Sequence, residues 1–281
     1  MMVTIESAGI TDIGRRREQN EDSLFFDDGM GLYVVADGMG GHKAGEVASK
    51  LVVETIQDYI KKNQSDGQVE DLTKVDPGLS KEARQLLAGI HLSNRIVHQT
   101  SLSNEDYKGM GSTVSAVYFT KETFIVANVG DSLIYLIRDG KIDLISVPHT
   151  LIAEQTELDP ENAELLWSDF KHVLTRAMGV GKSVKADINE VPFFKNDILV
   201  ISSDGLTDKA SPEDILELVY NRRSDKACQG LVDLANSRGG DDNITAIVLK
   251  VKSSGNATLR PMGWLKGILK PFFDKNSKRK I

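Results

Sequence analysis

The chain has 281 residues, of which 40% are hydrophobic and 27% are charged, a composition that is typical of a globular protein and excludes a disordered or fibrous one. Its single cysteine, Cys228, excludes a disulfide framework and a zinc site built from thiolates. The first ten residues lack the basic and apolar segments of a signal peptide, and no apolar run reaches the roughly 20 residues that cross a bilayer. These features predict a cytoplasmic protein.

The negative charge belongs to the body of the protein and not to its last residues. The formal net charge is −7 at pH 7. Residues 256–281 carry seven basic residues against one acidic residue, a balance of +6, which leaves −13 for residues 1–255. An acidic body argues against nucleic acid as a partner and suits a protein that concentrates metal cations.

The first part of the chain predicts a buried strand followed by two helices. Residues 32–36 are apolar and rich in β-branched side chains, which indicates a buried strand, and this strand stops at Asp37. Apolar residues at helical spacing predict helices at about 44–62 and 80–100. The intervening residues 63–79 are polar and predict a loop.

The second part predicts strands that are joined by short turns. Residues 112–119, 123–129 and 133–137 are strand-like, and Asp139-Gly140 is typical of a two-residue hairpin turn. Residues 148–190 are less regular. The remaining elements are a helical piece at 161–167, a buried strand at 197–203, a helix that opens with a capping box of Ser211 and Asp214, a helix at about 225–237 and a closing strand at 243–251. This order predicts one α+β domain with helices packed on antiparallel sheets.

Four aspartates lie at the edges of the predicted strands, where a sheet would bring them together: Asp37, Asp131, Asp204 and Asp242. Each one alone is ordinary turn chemistry, so only the set is informative. Carboxylates that pack together repel one another unless a cation compensates, and ligands that are all oxygen select Mg²⁺ or Mn²⁺. Two such ions about 3.5–4 Å apart can share a water, lower its pKa and hold a phosphoryl group.

Seven blocks of sequence stand out along residues 7–251. They are GRRREQNED at 14–22, VADGMGGH at 35–42, GMGST at 109–113, NVGDS at 128–132, LTRAMG at 174–179, SSDGLTD at 202–208 and DNIT at 242–245. In this order the blocks resemble the metal-dependent protein phosphatases of type 2C, and in particular their compact bacterial branch. The blocks taken together are highly specific for this family.

The resemblance implies roles for the residues at the strand edges. Asp37 would bridge two core metal ions, Mn²⁺ or Mg²⁺, with the carbonyl group of Gly38 completing one site. Asp204 and Asp242 would bind the other ion.

Further residues match other parts of the family site. Glu21 and Asp22 resemble the pair that orients the waters bound to the ions. Arg17 resembles the arginine that grips the substrate phosphate, since a planar bidentate donor suits phosphate better than a lysine does. Asp131, together with Asp208, matches the site of a third and weaker ion.

The resemblance also implies a fold, an activity and partners. The fold is a four-layer α-β-β-α sandwich of two antiparallel sheets flanked by helices. The activity is hydrolysis of phosphoserine and phosphothreonine by direct attack of a water that bridges the metal ions. The partners are phosphorylated proteins and a eukaryotic-like Ser/Thr kinase that the enzyme opposes. The expected parts are a catalytic domain at 1–252, with a flap at about 150–172, and a tail at 253–281.

Two other functions remain open. One is a regulatory or phosphoprotein-binding module that has the same fold and has lost catalysis, which the complete set of metal aspartates does not favour. The other is a metal hydrolase of small phosphates or nucleotides, for which the sequence has no P-loop or nucleotide fingerprint.

The sequence departs from the family pattern near the reacting atoms. Met39 stands where many eukaryotic members have a histidine proposed as general acid. A thioether cannot donate a proton, so a metal-bound water is the better candidate to protonate the leaving oxygen. His42 is near in sequence, but a lone loop histidine is usually a surface group. His149, just ahead of the flap, is predicted to be structural.

The tail is basic and amphipathic. Residues 260–281 place aromatic and aliphatic side chains at helical spacing with lysines between them, which predicts peripheral contact with an anionic membrane or with a protein partner. The alternative is a tail that folds back onto its own domain, and Pro271 would interrupt a continuous helix.

Overall fold

The computed structural model describes residues 3–40, 44–66, 78–159, 170 and 172–253. Within these ranges the strands are β1 (Thr4–Asp12), β2 (Asp22–Asp27), β3 (Leu32–Met39), β4 (Gly111–Ser112), β5 (Val114–Phe119), β6 (Thr123–Val129), β7 (Leu133–Arg138), β8 (Lys141–Leu144), β9 (Asp187–Pro192), β10 (Ile198–Ser202) and β11 (Ile244–Ser253). The helices are α1 (Ala44–Asp66), α2 (Lys81–Ser103), α3 (Leu151–Leu158), α4 (Asp204–Thr207), α5 (Pro212–Val219) and α6 (Ser224–Ser237), with a short 3-10 helix at Glu105–Tyr107.

The strands form two antiparallel sheets. Sheet 1 has the strand order β1-β11-β10-β7-β8. Sheet 2 has the order β2-β3-β5-β6-β9, and β4 pairs with β3. Each neighbouring pair is antiparallel, as the short connections predict.

Alternate side chains of each strand face different layers, because the side-chain period of a strand is two. On β3, Leu32 and Val34 join an apolar cluster with α1 and α2, whereas Tyr33 joins a cluster between the two sheets. On β10, Val200 packs with α5 and α6, and Leu199 faces the other sheet. The layers are therefore α1–α2, sheet 2, sheet 1 and α5–α6, which confirms the predicted four-layer sandwich.

Local sequence signals fix where two helices begin. The Ser80 side chain accepts a hydrogen bond from the backbone of Ala83 at the start of α2. At the start of α5, Ser211 and Asp214 form the predicted capping box, with Pro212 in the first turn. These bonds satisfy backbone N–H groups that a helix leaves without partners in its first turn.

Some boundaries differ from the prediction. Strand β3 does not stop at Asp37 but continues to Met39, because Gly38 and Met39 pair with β4. Helix α1 continues to Asp66, into the predicted loop at 63–79. The stretch 148–190 contains α3 and β9, and β9 pairs with β6.

Some predictions lie outside the described residues. They concern His42, the helical piece at 161–167, residues 160–169 and 171 of the flap, and the tail beyond residue 253. Among the described helices, none is long and apolar enough to cross a membrane.

Candidate active site

The nine residues predicted for the site converge where the ends of β2, β3, β10 and β11 meet. A cleft of about 900 Å³ lies at this place. Eight of the predicted residues line it: Arg17, Glu21, Asp37, Gly38, Asp131, Asp204, Asp208 and Asp242. The ninth, Asp22, is buried behind the cleft.

Both sheets contribute carboxylates to the cleft. Asp22 and Asp37 are directly paired residues on β2 and β3 of sheet 2. Asp204 follows β10 and Asp242 precedes β11, both in sheet 1. Asp131 lies in the turn that leads from β6 of sheet 2 to β7 of sheet 1. The set is therefore complete only when the two sheets are packed together.

Asp22 links the two sheets through hydrogen bonds. Its Oδ2 atom accepts from the Ser203 hydroxyl at 2.7 Å and from the Thr245 hydroxyl at 2.6 Å. Thr245 lies on β11 of sheet 1, Ser203 directly follows β10 of the same sheet, and Asp22 is only 7% exposed. Its other oxygen, Oδ1, is buried and has no hydrogen-bond partner among the described residues.

The backbone of Asp37 is held by the last residue of β4 and the residue that follows it. Its N–H group donates to the Thr113 hydroxyl at 2.9 Å, and its carbonyl oxygen accepts from the Thr113 N–H group at 2.8 Å. The Ser112 hydroxyl donates to the same carbonyl oxygen at 3.0 Å. Asp37 therefore projects its carboxylate into the cleft from a fixed position.

The glycines that follow Asp37 and Asp204 are required by close packing and not by a tight turn. Neither Gly38 nor Gly205 has a positive φ. A Cβ atom on Gly38 would overlap the carbonyl oxygen of Gly45 in α1, and one on Gly205 would overlap the carbonyl oxygen of Asn243. Close packing therefore explains why glycine follows both aspartates.

Arg17 and Asp242 form an ion pair in the cleft. The Nη2 atom of Arg17 donates to Oδ2 of Asp242 at 2.6 Å, and the other oxygen of Asp242 accepts from the backbone of Asn243 at 2.8 Å. This pair raises the pKa of Arg17. The guanidinium thus lies beside a carboxylate that is predicted to bind a metal ion.

Glu21 is tied to both the end of sheet 1 and the start of α1. Its N–H group donates to the Asn243 side chain at 2.8 Å, and its carbonyl oxygen accepts from the Ser49 hydroxyl at 2.6 Å. Its carboxylate accepts from the backbone of Gly45, but burial outweighs this bond and the nearby Arg17, and raises the pKa of Glu21.

Burial and mutual repulsion raise the pKa of several carboxyl groups. Burial, followed in size by the repulsion of other carboxylates, raises the pKa of Asp131 to about 7 and that of Asp37 well above its usual value. Burial also raises the pKa of Asp22 to about 7, against the hydrogen bonds from its two hydroxyl donors. Burial acts in the same direction on Asp204, but hydrogen bonds with His172 and Asp37 outweigh it and lower the pKa of Asp204. Because buried carboxylates that lie close together repel one another, this group favours the binding of protons or cations.

His172 was not predicted as a site residue, yet it lines the cleft. Its Nδ1 atom lies 3.6 Å from Oδ2 of Asp204, and its Nε2 atom lies 3.4 Å from Oδ2 of Asp208. One atom each of His172, Asp131 and Asp204 lie within 4.8 Å of one another, so the three could hold a metal ion. The signal in the sequence was a histidine two residues before the LTRAMG block, at the end of the predicted flap.

His149 is structural, as predicted. It is 1% exposed, and its Nδ1 atom accepts from the backbone of Gly130 at 3.1 Å. Its Nε2 atom lies 2.8 Å from Oδ2 of Asp187. The backbone N–H group of His149 also donates to the carbonyl oxygen of Gly130 at 2.9 Å. The imidazole therefore fixes the backbone immediately before Asp131.

The donor set fits hard divalent cations. The ligands that the two sheets supply are carboxylate and carbonyl oxygens, which Mg²⁺ and Mn²⁺ prefer. The Oδ1 atoms of Asp22 and Asp204 are buried without a hydrogen-bond partner in the described part of the chain. Cations would supply the missing partner for Asp204 and would offset the repulsion that raises the pKa of its neighbours.

Known proteins are similar to this chain in both sequence and fold. Residues 14–244 match the family described as Protein phosphatase 2C. The serine/threonine phosphatase stp of Listeria welshimeri is 33% identical over 247 residues, which cover 85% of this chain and 93% of that protein.

Two solved structures give the same result. The serine/threonine phosphatase PstP/Ppp of Mycobacterium tuberculosis superposes with a TM-score of 0.78 at 28% identity, covering 90% of this chain and 100% of that one. The catalytic domain of the serine/threonine protein phosphatase PstP in complex with two manganese ions superposes with a TM-score of 0.74 at 29% identity, covering 90% and 100% of the two chains.

Proposed function

This chain belongs to the protein phosphatase 2C family, and on that premise we propose that Asp37, Asp204 and Asp242 hold the cations of a metal-dependent protein serine/threonine phosphatase. The enzyme class, which removes phosphate from phosphorylated serine and threonine of proteins, follows from the family and its named relatives. The observation that supports the residue assignment is the convergence of carboxylates from both sheets on one cleft.

The proposed division of roles follows from the chemistry of each side chain. Asp37 would contribute to the binding of both of two Mn²⁺ or Mg²⁺ ions, with the Gly38 carbonyl completing one site and with Asp204 and Asp242 binding the other ion. Such cations supply a water of lowered pKa for attack on phosphorus and neutralise part of the phosphate charge. Glu21 accepts hydrogen bonds from waters in the cleft, which orients them.

Asp22 takes a positioning role in this proposal as well as a water-orienting one. Only its Oδ1 atom is available to a water, because Oδ2 is used by the hydroxyls of Ser203 and Thr245. The same two bonds hold sheet 1 and sheet 2 together beside the ligands.

Arg17 is proposed to bind the substrate phosphate. Its present partner, Asp242, is also a proposed metal ligand, so Arg17 and a cation compete for one carboxylate. Once it is released from Asp242, the guanidinium is free to donate to two phosphate oxygens.

We propose a third and weaker cation site at Asp131 with Asp208, and His172 lies close enough to contribute. The proton for the leaving serine or threonine oxygen is assigned to water, because Met39 lines the cleft and its thioether cannot donate one.

The cellular role is a further proposal. The enzyme would oppose a eukaryotic-like Ser/Thr kinase, and the bacterial origin of the relatives supports this setting. The catalytic domain would span 1–252, which the family match to residues 14–244 supports. The basic tail would contact an anionic membrane or a protein, and sedimentation with anionic liposomes, with and without residues 254–281, tests that part.

Hydrolysis of a phosphothreonine peptide with Mn²⁺ tests the main proposal. Turnover should disappear with EDTA and fall at least a hundredfold in Asp204→Asn, which removes a ligand charge. Asp143→Asn, on the edge strand β8, is the matched control and should keep wild-type turnover.

Other outcomes of this assay distinguish the alternatives. Turnover that survives both EDTA and Asp204→Asn would contradict the proposal. Binding of the phosphopeptide without any turnover would favour the regulatory module that has lost catalysis.

A further inference from the structure

Part of the catalytic cleft is apolar. Met39, Leu174, Ala177 and Val180 are among the residues that line it. Val180 is 64% exposed, so its apolar side chain is open to solvent beside the cleft. Apolar surface at such a place gains free energy when a ligand covers it.

The apolar part begins close to Asp37. Asp37 and Met39 lie two residues apart on β3, and both are half-buried on either side of the buried Gly38. They therefore face the same side of the strand, roughly 7 Å apart along it. A Cβ atom on Gly111, which pairs with Met39, would lie 2.5 Å from Met39 Cε and 3.4 Å from Val180 Cγ2. The absence of a side chain at Gly111 therefore leaves room for the ends of Met39 and Val180, which both lie beside its backbone.

The turn that carries Val180 is held by α2. The side chain of Asn94 accepts from the N–H group of Gly179 at 2.8 Å and donates to the carbonyl oxygen of Gly181 at 3.0 Å. The Nδ1 atom of His98 donates to the carbonyl oxygen of Gly179 at 2.9 Å. Val180 is therefore presented from a fixed backbone, which lowers the entropy lost when a ligand packs on it.

We propose that Met39, Ala177 and Val180 form an apolar shelf that binds an aliphatic side chain of the substrate, one or two residues from the phosphoserine or phosphothreonine. This inference rests on the proposed function of the cleft. An extended peptide advances about 3.3–3.6 Å per residue, so a phosphate near Asp37 places a side chain within two residues over the shelf.

Phosphothreonine peptides that carry leucine or glycine at each of the four nearest flanking positions test the shelf. At one of these positions, leucine should raise the kcat/KM of the wild-type enzyme about fourfold for each methylene-sized group that is buried. Val180→Ser should bring this leucine-to-glycine ratio close to one, and Val180→Leu should raise it, with the change mainly in KM. Both substitutions are at an exposed position, so the fold should tolerate them.

Leu102→Ser is the matched control, because Leu102 is 73% exposed at the end of α2 and is not among the described residues that line the cleft. It should keep the wild-type ratio. Equal kcat/KM values for the leucine and glycine peptides at all four positions would contradict the proposed shelf, and so would a leucine-to-glycine ratio that Val180→Ser leaves unchanged. In either case hydrolysis of the peptides would still support the proposed phosphatase function. A lack of turnover on every peptide would instead overturn the proposed function, and the shelf with it.

Discussion

At the scale of single residues, the polar groups behind the cleft are as constrained as those that line it. Asp22 uses one oxygen to accept two hydroxyl donors from the opposite sheet. A buried acceptor of this kind cannot be removed without leaving donors unsatisfied. An aspartate at this position of β2 therefore serves the contact between the sheets as well as the proposed reaction.

Asp22→Ala should lower the free energy of unfolding by about 2–3 kcal/mol, because the Ser203 and Thr245 hydroxyls lose their shared acceptor in a buried place. Urea denaturation of the metal-free protein measures this. Asp58→Ala, at an exposed position of α1, should change the same free energy by less than about 0.5 kcal/mol. Equal effects of the two substitutions would contradict a linking role for Asp22.

Arg17→Ala should raise KM for a phosphopeptide by about tenfold or more, since charge-assisted bonds to phosphate are lost. It should also leave Mn²⁺ affinity, measured by titration calorimetry, equal or higher, because the guanidinium no longer competes for Asp242. Weaker Mn²⁺ binding in this variant would show that Arg17 supports the metal site and does not compete with it.

At the scale of strands and helices, β3 carries the site because it packs tightly against α1. Gly38 lies between Asp37 and Met39 with its backbone against Gly45, near the start of the helix. The carboxylate of Glu21 also lies against Gly45. The strand, the helix start and the residue before β2 therefore fix one another.

Gly38→Ala should destabilise the protein by about 1–3 kcal/mol, as overpacking does, and should lower activity because Asp37 moves with the strand. Gly29→Ala, in the turn between β2 and β3, offers a control where the added methyl meets only the Asp27 side chain at 3.2 Å. Thermal unfolding and peptide hydrolysis compare the two. A normal melting temperature for Gly38→Ala would contradict the close packing of β3 and α1.

The sequence predicted elements well where local signals were strong and less well where pairing is distant. The apolar run of β3 and the capping box at Ser211 were both visible in it. The extension of β3 to Met39 was not, since it depends on β4, more than 70 residues later. Strand β9 was also missed, because it is only half-buried and its partner β6 lies far away in sequence.

The sequence predicted the aspartates of the candidate site better than it predicted the residues that contact them. Asp37, Asp204 and Asp242 came from block order, and all three line the cleft. His172 was missed because it lies outside the LTRAMG block, two residues before it, and only the fold brings it beside Asp204. No local pattern reveals a contact between residues so far apart in sequence.

At the scale of the whole molecule, the acidic cleft couples stability to pH. Folding raises the pKa of Asp22 and Asp131 from the usual 3.8 to about 7, so the metal-free folded state binds more protons than the unfolded state between these values. Stability is then greatest near or below pH 4 with respect to these groups and is lost as the pH rises towards 7. The lowered pKa of His91 makes its own contribution to stability increase with pH, but His91 is one group against the two aspartates.

Without metal, the urea midpoint should therefore decrease between pH 5 and pH 7.5. With saturating Mn²⁺ the decrease should vanish or reverse, because cations bind the deprotonated carboxylates. Denaturation series in EDTA and in Mn²⁺ at the two pH values make the comparison. A metal-free midpoint that rises with pH would contradict the raised pKa values.

The division of the proposed metal ligands between two sheets has a kinetic consequence. A chain in which only one sheet has formed would lack part of the proposed ligand set, so cations should bind the molecule only after the sheets have docked. Mn²⁺ should accordingly slow unfolding and leave the refolding rate nearly unchanged, as expected for contacts that are absent from the transition state. Stopped-flow refolding and unfolding with and without Mn²⁺ would measure both rates. Bound Mn²⁺ would then stabilise the folded state without stabilising the transition state of folding. Faster refolding with Mn²⁺ would show instead that the metal site forms early and nucleates folding.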